Sequence, residues 1–200
     1  MKRIPFCLLG AMAAVLAGCV VTAVYPFYTE KDVAFEPAML GQWTNSAETN
    51  QRWTFEKDGA SSYRLTCVEG DKPSVMQAQP FKLGGQFFLD LSRTNSAEEP
   101  FPPPIPSHVL LRVVQTRPIL RVAPLKYDWL KGVLEEDPKA LRHLILKTGD
   151  NPEDRYFVLT ADTGELQQFV IKHLKTDAAW KDVIELKRAS LQSNADPKPR

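Results

Sequence analysis

Thiols, imidazoles and clustered carboxylates are the groups in this chain that could do chemistry. There are three cysteines (Cys7, Cys19 and Cys67) and three histidines (His108, His143 and His173). No two of these stand at metal-ligand spacing, and no His-Glu-x-x-His occurs. A glycine-rich phosphate loop and a Gly-x-Ser-x-Gly elbow are also missing. Asp150, Glu153 and Asp154 could offer oxygens to calcium, but they lack the alternation of an EF-hand loop and read as a solvated hairpin tip. Glu135, Glu136 and Asp137 are neighbours in a helical pattern, where adjacent side chains do not face each other. They read as a solvated helix end and a cap for the next helix. Cys67 shares one face of an alternating segment with Tyr63 and Leu65. With no base or positive charge beside it in sequence, it reads as a small core residue and not as a reactive thiol. The histidines read as surface or half-buried polar residues. No metal or cofactor is expected, and the reading is of a non-enzymatic protein.

Cys19 stands apart. Lys2 and Arg3 precede a short apolar stretch, residues 4–17, that ends in small residues. This is the build of a secretory signal peptide. The stretch is too short for a membrane-spanning helix, which needs roughly 20 apolar residues. Leu16-Ala17-Gly18-Cys19 resembles the lipobox of bacterial lipoprotein precursors. The resemblance implies a thioether-linked diacylglycerol on the Cys19 thiol and cleavage after Gly18, so that residues 1–18 leave and Cys19 begins the mature chain. Each buried methylene of the added chains contributes about 0.8 kcal/mol, so two or three chains anchor stably where one is marginal. In enteric lipoproteins an Asp after the cysteine marks retention in the inner membrane. This chain has Val20 there, which implies a lipid-anchored protein of the cell envelope at the outer membrane, facing the periplasm.

Without Lys2 and Arg3 the chain keeps 23 basic residues against 24 acidic ones, with no basic run. That distribution argues against a nucleic-acid partner. Once Cys7 has left and Cys19 is modified, Cys67 has no thiol to pair with. The 182 residues from Cys19 onward suit one domain.

Strand patterns dominate the first half. One opens at Gly41-Gln42-Trp43-Thr44. Residues 51–57 alternate, with Trp53 and Phe55 on one side, and Asp58-Gly59 then turns the chain into 60–68. Glu69-Gly70-Asp71 leads to 74–83, and Gly84-Gly85 leads to 86–91, where Phe88 and Asp90 oppose Phe87, Leu89 and Leu91. Residues 92–107 break the pattern with the run Pro102-Pro103-Pro104-Ile105-Pro106, read as a stiff surface loop. Two strands, or one bent strand, come next over 108–115 and 119–125. Tyr127, Trp129, Leu130, Val133 and Leu134 recur at helical spacing. Asp137-Pro138 predicts a second short helix to about His143. Residues 144–146 and 156–160 predict a hairpin. Asp162 and Glu165 have capping-box spacing for a helix to about Leu174, and 183–187 predict a last strand. Residues 1–18 are thus a leader, 19–37 a lipidated start and tether that packs in part on the domain, 38–189 a barrel domain, and 190–200 a polar tail expected to be disordered.

Gly41-Gln42-Trp43 is similar to the G-x-W motif of lipocalins. In that family the Trp closes one end of an eight-stranded barrel and an Arg from a late strand packs over it, a part that Arg188 would take. The helical segments between Tyr127 and His143 depart from the lipocalin order and leave the strand count open. The segments Tyr28-Thr29-Glu30-Lys31-Asp32, Leu40-Gly41-Gln42-Trp43, Trp53-Thr54-Phe55-Glu56-Lys57 and Ala123-Pro124-Leu125-Lys126-Tyr127-Asp128-Trp129-Leu130 resemble those of a group of bacterial lipoproteins with no assigned activity. The expected fold class is therefore β-rich α+β: a lipocalin-like antiparallel β-barrel, or a strongly curved sheet, with two or three accessory helices. Trp43, Trp53, Phe55, Tyr63, Phe81, Phe87 and Phe88 fall on strand faces at period two and would fill such a barrel or line a cavity in it. Two functions fit that fold: a carrier of a hydrophobic small molecule, or a filled barrel whose surface contacts another envelope protein. An enzyme ranks behind both.

Overall fold

A computed structural model of the chain describes residues 20–93, 107–147, 155–180 and 182–189. The lipobox with Gly18 and Cys19, most of the proline-rich break, Asp150, Glu153, Asp154 and the tail lie outside them.

Eight antiparallel strands close into a barrel. Seven succeed one another as a meander: β2 (Gly41–Asn45), β3 (Gln51–Asp58), β4 (Ser62–Glu69), β5 (Lys72–Leu83), β6 (Gln86–Arg93), β7 (His108–Gln115) and β8 (Leu120–Pro124). The eighth, β11 (Ile184–Arg188), comes from the far end of the sequence and pairs with both β2 and β8, Arg188 opposite Trp43 and Ile184 opposite Val122. Residues 108–115 and 120–124 are thus two strands, turned around the cis Arg117–Pro118 bond. The turns reflect residue chemistry. Leu83 pairs with Gln86 across Gly84-Gly85, whose φ values of 55° and 77° suit a two-residue hairpin loop.

A three-stranded flap grows from the start of β7. There β1 (Thr22–Ala23) pairs with β7 and, in parallel, with β10 (Arg155–Leu159), which pairs with the edge strand β9 (His143–Lys147). Helices α1 (Tyr127–Glu136), α2 (Thr163–Lys172) and the one-turn α3 (Asp177–Trp180) complete the order. The capping box at Asp162 forms as its spacing predicts: Asp162 Oδ1 accepts from Glu165 N at 3.0 Å, and Glu165 Oε2 accepts from Asp162 N at 3.2 Å.

The helix predicted over 137–143 does not form. Asp137 ends α1, and its Oδ1 accepts from Lys139 N at 3.0 Å to make a single turn. Leu141 then plunges into the core, and from His143 the chain pairs with β10 instead. A cap and a proline are local preferences; burial of Leu141 and the bonds that Arg142 O accepts from Thr160 N and Ala161 N override them.

Two cores result. Inside the barrel lie Trp43, Trp53, Phe55, Tyr63, Leu65, Cys67, Ala78, Leu89, Leu120 and Leu186. Outside it, Phe81, Phe88, Leu110 and Ala123 face away from the axis and are covered by Phe27, α1, α2 and Trp180. Phe81 and Phe88 therefore neither fill nor line the interior. They stack on each other at 5.5 Å under the helical layer. The segment before β2 is part of this layer. Val21, Ala23 and Phe27 are each 1% exposed.

Candidate functional site

The barrel's closed end is built from four short stretches. A 3-10 turn, Pro37–Met39, lies across it, capped by Glu36, whose Oε1 accepts from Ala38 N at 2.8 Å. Trp43 points inward from β2 and donates its Nε1–H to Met39 O at 2.8 Å. Arg188 on β11 lays its guanidinium 4.7 Å from the Trp43 ring centre and donates to Ala38 O and Leu40 O at 2.9 and 3.2 Å. The part expected of Arg188 is the one it occupies. Gly41 makes room for it: a Cβ there would stand 3.0 Å from Arg188 Nη1, and the backbone sits at φ 111°. Tyr63 completes the plug, its hydroxyl donating to Glu36 O at 2.8 Å and accepting from Glu36 N at 2.9 Å. Burial pushes the Tyr63 phenol up to about 12, more than the hydrogen bond its oxygen accepts from Glu36 N brings it back.

The interior above the plug is occupied by side chains. Trp43, Tyr63 and Leu65 are 0% exposed, and Phe55 meets Tyr63 edge-on at 5.7 Å. Burial raises the Cys67 thiol to about 12, so it stays protonated and inert near neutral pH. At the other end, where β2 turns into β3, three side chains form a polar chain. Asn45 donates to Gln51 Oε1 at 2.8 Å, and Gln51 in turn donates to Glu48. A cleft of about 490 Å³ opens there, lined by Asn45, Glu48, Asp182 and Ile184 among others. A smaller one of about 290 Å³ lies between Lys139–Arg142 and α2. Both are on the surface.

The histidines stand far apart in role. His173 is sandwiched between Trp129 and Phe169, at 4.9 and 4.7 Å, and burial, helped by Lys172, lowers its pKa. His143 holds Leu141 O through Nδ1 at 2.8 Å and packs on Phe157. His108 meets Asp90 at 2.7 Å. Asp90 is the residue that sequence reasoning passes over. It is 1% exposed on the outer face of β6, and its second oxygen accepts from Phe27 N at 2.8 Å. It thus clasps the segment before β2 to the barrel. Alternation gives no signal for it, because Asp90 shares its face of β6 with Gln86, Phe88 and Ser92 and reads there as one polar residue among others. The same segment is held from α2. Gln167 donates to Phe27 O and to Asp32 Oδ2, and Thr163 donates to Pro26 O.

Glu135, Glu136 and Asp137 are exposed at the end of α1. Among the described residues no group of three or more His, Cys, Asp or Glu could hold a metal ion, and no helix is long and apolar enough to cross a membrane. Compared with known protein families, with curated proteins and with solved structures, the chain matches none.

Proposed function

We propose that this chain is a lipid-anchored protein of the bacterial cell envelope, cut after Gly18 and acylated on Cys19, whose barrel is a filled, non-catalytic module that contacts another envelope component through its outer surface. The leader and lipobox pattern supports the anchor, and Val20 supports the outer membrane as destination. The observation that carries the scaffold role is the interior: aromatic and aliphatic side chains occupy it, and a hydrogen-bonded plug closes the end at Trp43. An apolar guest would have to displace side chains already removed from water, which offsets the gain of about 25 cal/mol per Å² that its own burial offers.

A second reading, carriage of a hydrophobic small molecule, is favoured by one observation. Trp53 Nε1 is buried without a hydrogen-bond partner, two residues along β3 from Gln51, whose partner Asn45 lines the larger cleft. Native mass spectrometry of the mature protein, extracted gently from membranes, separates the two. The scaffold reading expects the mass of the chain from Cys19 plus its covalent acyl groups and nothing more. A stoichiometric non-covalent lipid would overturn it in favour of carriage. A mass that retains residues 1–18, or a bare Cys19, would overturn the anchor.

A further inference from the structure

We infer that the outer face of the β1–β10–β9 flap rests on the lipid bilayer, an inference that depends on acylation of Cys19. The flap presents large apolar side chains to solvent in three consecutive positions of an edge strand, Leu144, Ile145 and Leu146, which are 56%, 47% and 40% exposed. Alternation along the strands sorts them. Ile145 lies opposite Phe157, whose face is packed on Tyr127. Leu144 and Leu146 lie opposite Val158 and Tyr156 on the other face, and Val158 pairs with Thr22. This second face thus carries a patch of Tyr156, Val158, Leu144 and Leu146, with Thr22 beside it.

The position of residue 19 selects the occupant. Val21 is 1% exposed, Val20 bridges to Lys126, and Thr22 is already in the sheet. Three residues of chain reach at most about 10 Å, so the acyl-bearing residue stays close to Thr22. Two strand spacings, about 10 Å, separate Thr22 from Leu144. An anchor with no slack therefore brings the membrane to the patch, and exposed aliphatic groups beside a bilayer gain by entering its interfacial region.

The test uses the full-length precursor, processed in its host and reconstituted into phosphatidylcholine vesicles. Leu146→Cys and Leu144→Cys variants, each labelled with an environment-sensitive fluorophore, report on the patch, and Ile171→Cys on α2 is the control. Cys67 is buried and will not compete for label. Quenching of the label at 146 or 144 several-fold more by spin-labelled lipid than by aqueous iodide, with the reverse at 171, is the expected result. An acylated protein whose patch label is quenched by iodide overturns the membrane contact alone. A patch label reached by neither quencher, with cross-links between copies, overturns it in favour of strand pairing between two molecules. A bare Cys19 thiol in the intact mass overturns the anchor on which the inference depends.

Discussion

Single side chains in this protein are placed by burial before they are placed by charge. Cys67 and Tyr63 are both acids whose neutral form is the one the barrel accommodates, and both are raised to about 12, from 9.0 and 10.0. An acid whose folded pKa is raised stabilises the fold fully below its unfolded pKa and loses that contribution as pH climbs to the folded value. Denaturant midpoints should therefore hold steady up to about pH 9 and fall between pH 9 and pH 12. Cys67→Ala should flatten the early part of that fall, while Tyr63→Phe should flatten the later part at the cost of the Glu36 contact. A midpoint that rises over this interval would contradict the assignment. Asp90 behaves differently. It is a buried acceptor with two partners far away in sequence, Phe27 N and His108. Burial, and then the charge of Asp90, raises the Tyr28 phenol.

At the scale of elements, the turns carry the register. In the β5–β6 hairpin both glycines have positive φ, and Gly84 also lies against the end of α2 and the turn after it, since a Cβ there would stand 3.6 Å from Ile171 Cγ1 and 2.6 Å from Leu174 Cδ1. Gly84→Ala should cost about 1–2 kcal/mol, from the left-handed backbone and from the displacement of Leu174. Gly85→Ala meets nothing and should cost only the backbone part. Equal losses for the two variants, measured by chemical denaturation, would mean that the packing of residue 174 on the hairpin contributes nothing. Element boundaries are legible in the sequence where they rest on near neighbours: alternation for β3, two adjacent glycines for the β5–β6 turn, an acid three residues beyond a cap for α2. The absent helix over 137–143 shows the limit. Its cap and proline are genuine local signals, but the hydrogen-bond partners of Arg142 and His143 lie on residues 159–161, beyond the reach of a local pattern.

The whole molecule depends on its closing strand. β11 supplies ladders to both β2 and β8, inserts Leu186 into the interior at 0% exposure, and carries Arg188 to the plug. A chain ending after Trp180 would leave the edges of β2 and β8 unpaired and the core open. It should lose its cooperative unfolding transition and associate, seen as loss of near-ultraviolet circular dichroism and growth in light scattering. A chain ending after Ala189 should unfold as the full chain does. A cooperative transition in the shorter product would show that the seven-stranded meander closes or holds without β11.

By itself the sequence determined what neighbours along the chain decide: the strands and their hairpin turns, the capped helix, the core character of Cys67, and the glycine and tryptophan at the barrel's start. Those features rest on φ preferences, period-two alternation and short hydrogen bonds, all of which act within a few residues. Only the tertiary structure decided which apolar face looks inward. Phe81 and Phe88 share a pattern with Phe55 and Tyr63, yet they end outside the barrel because helices and the segment before β2 cover them there. It also decided that β11 closes the ring and that Asp90 meets Phe27. Such contacts join residues tens of positions apart, and the free energy that selects them comes from excluding water across the assembled layers, a quantity no local stretch contains.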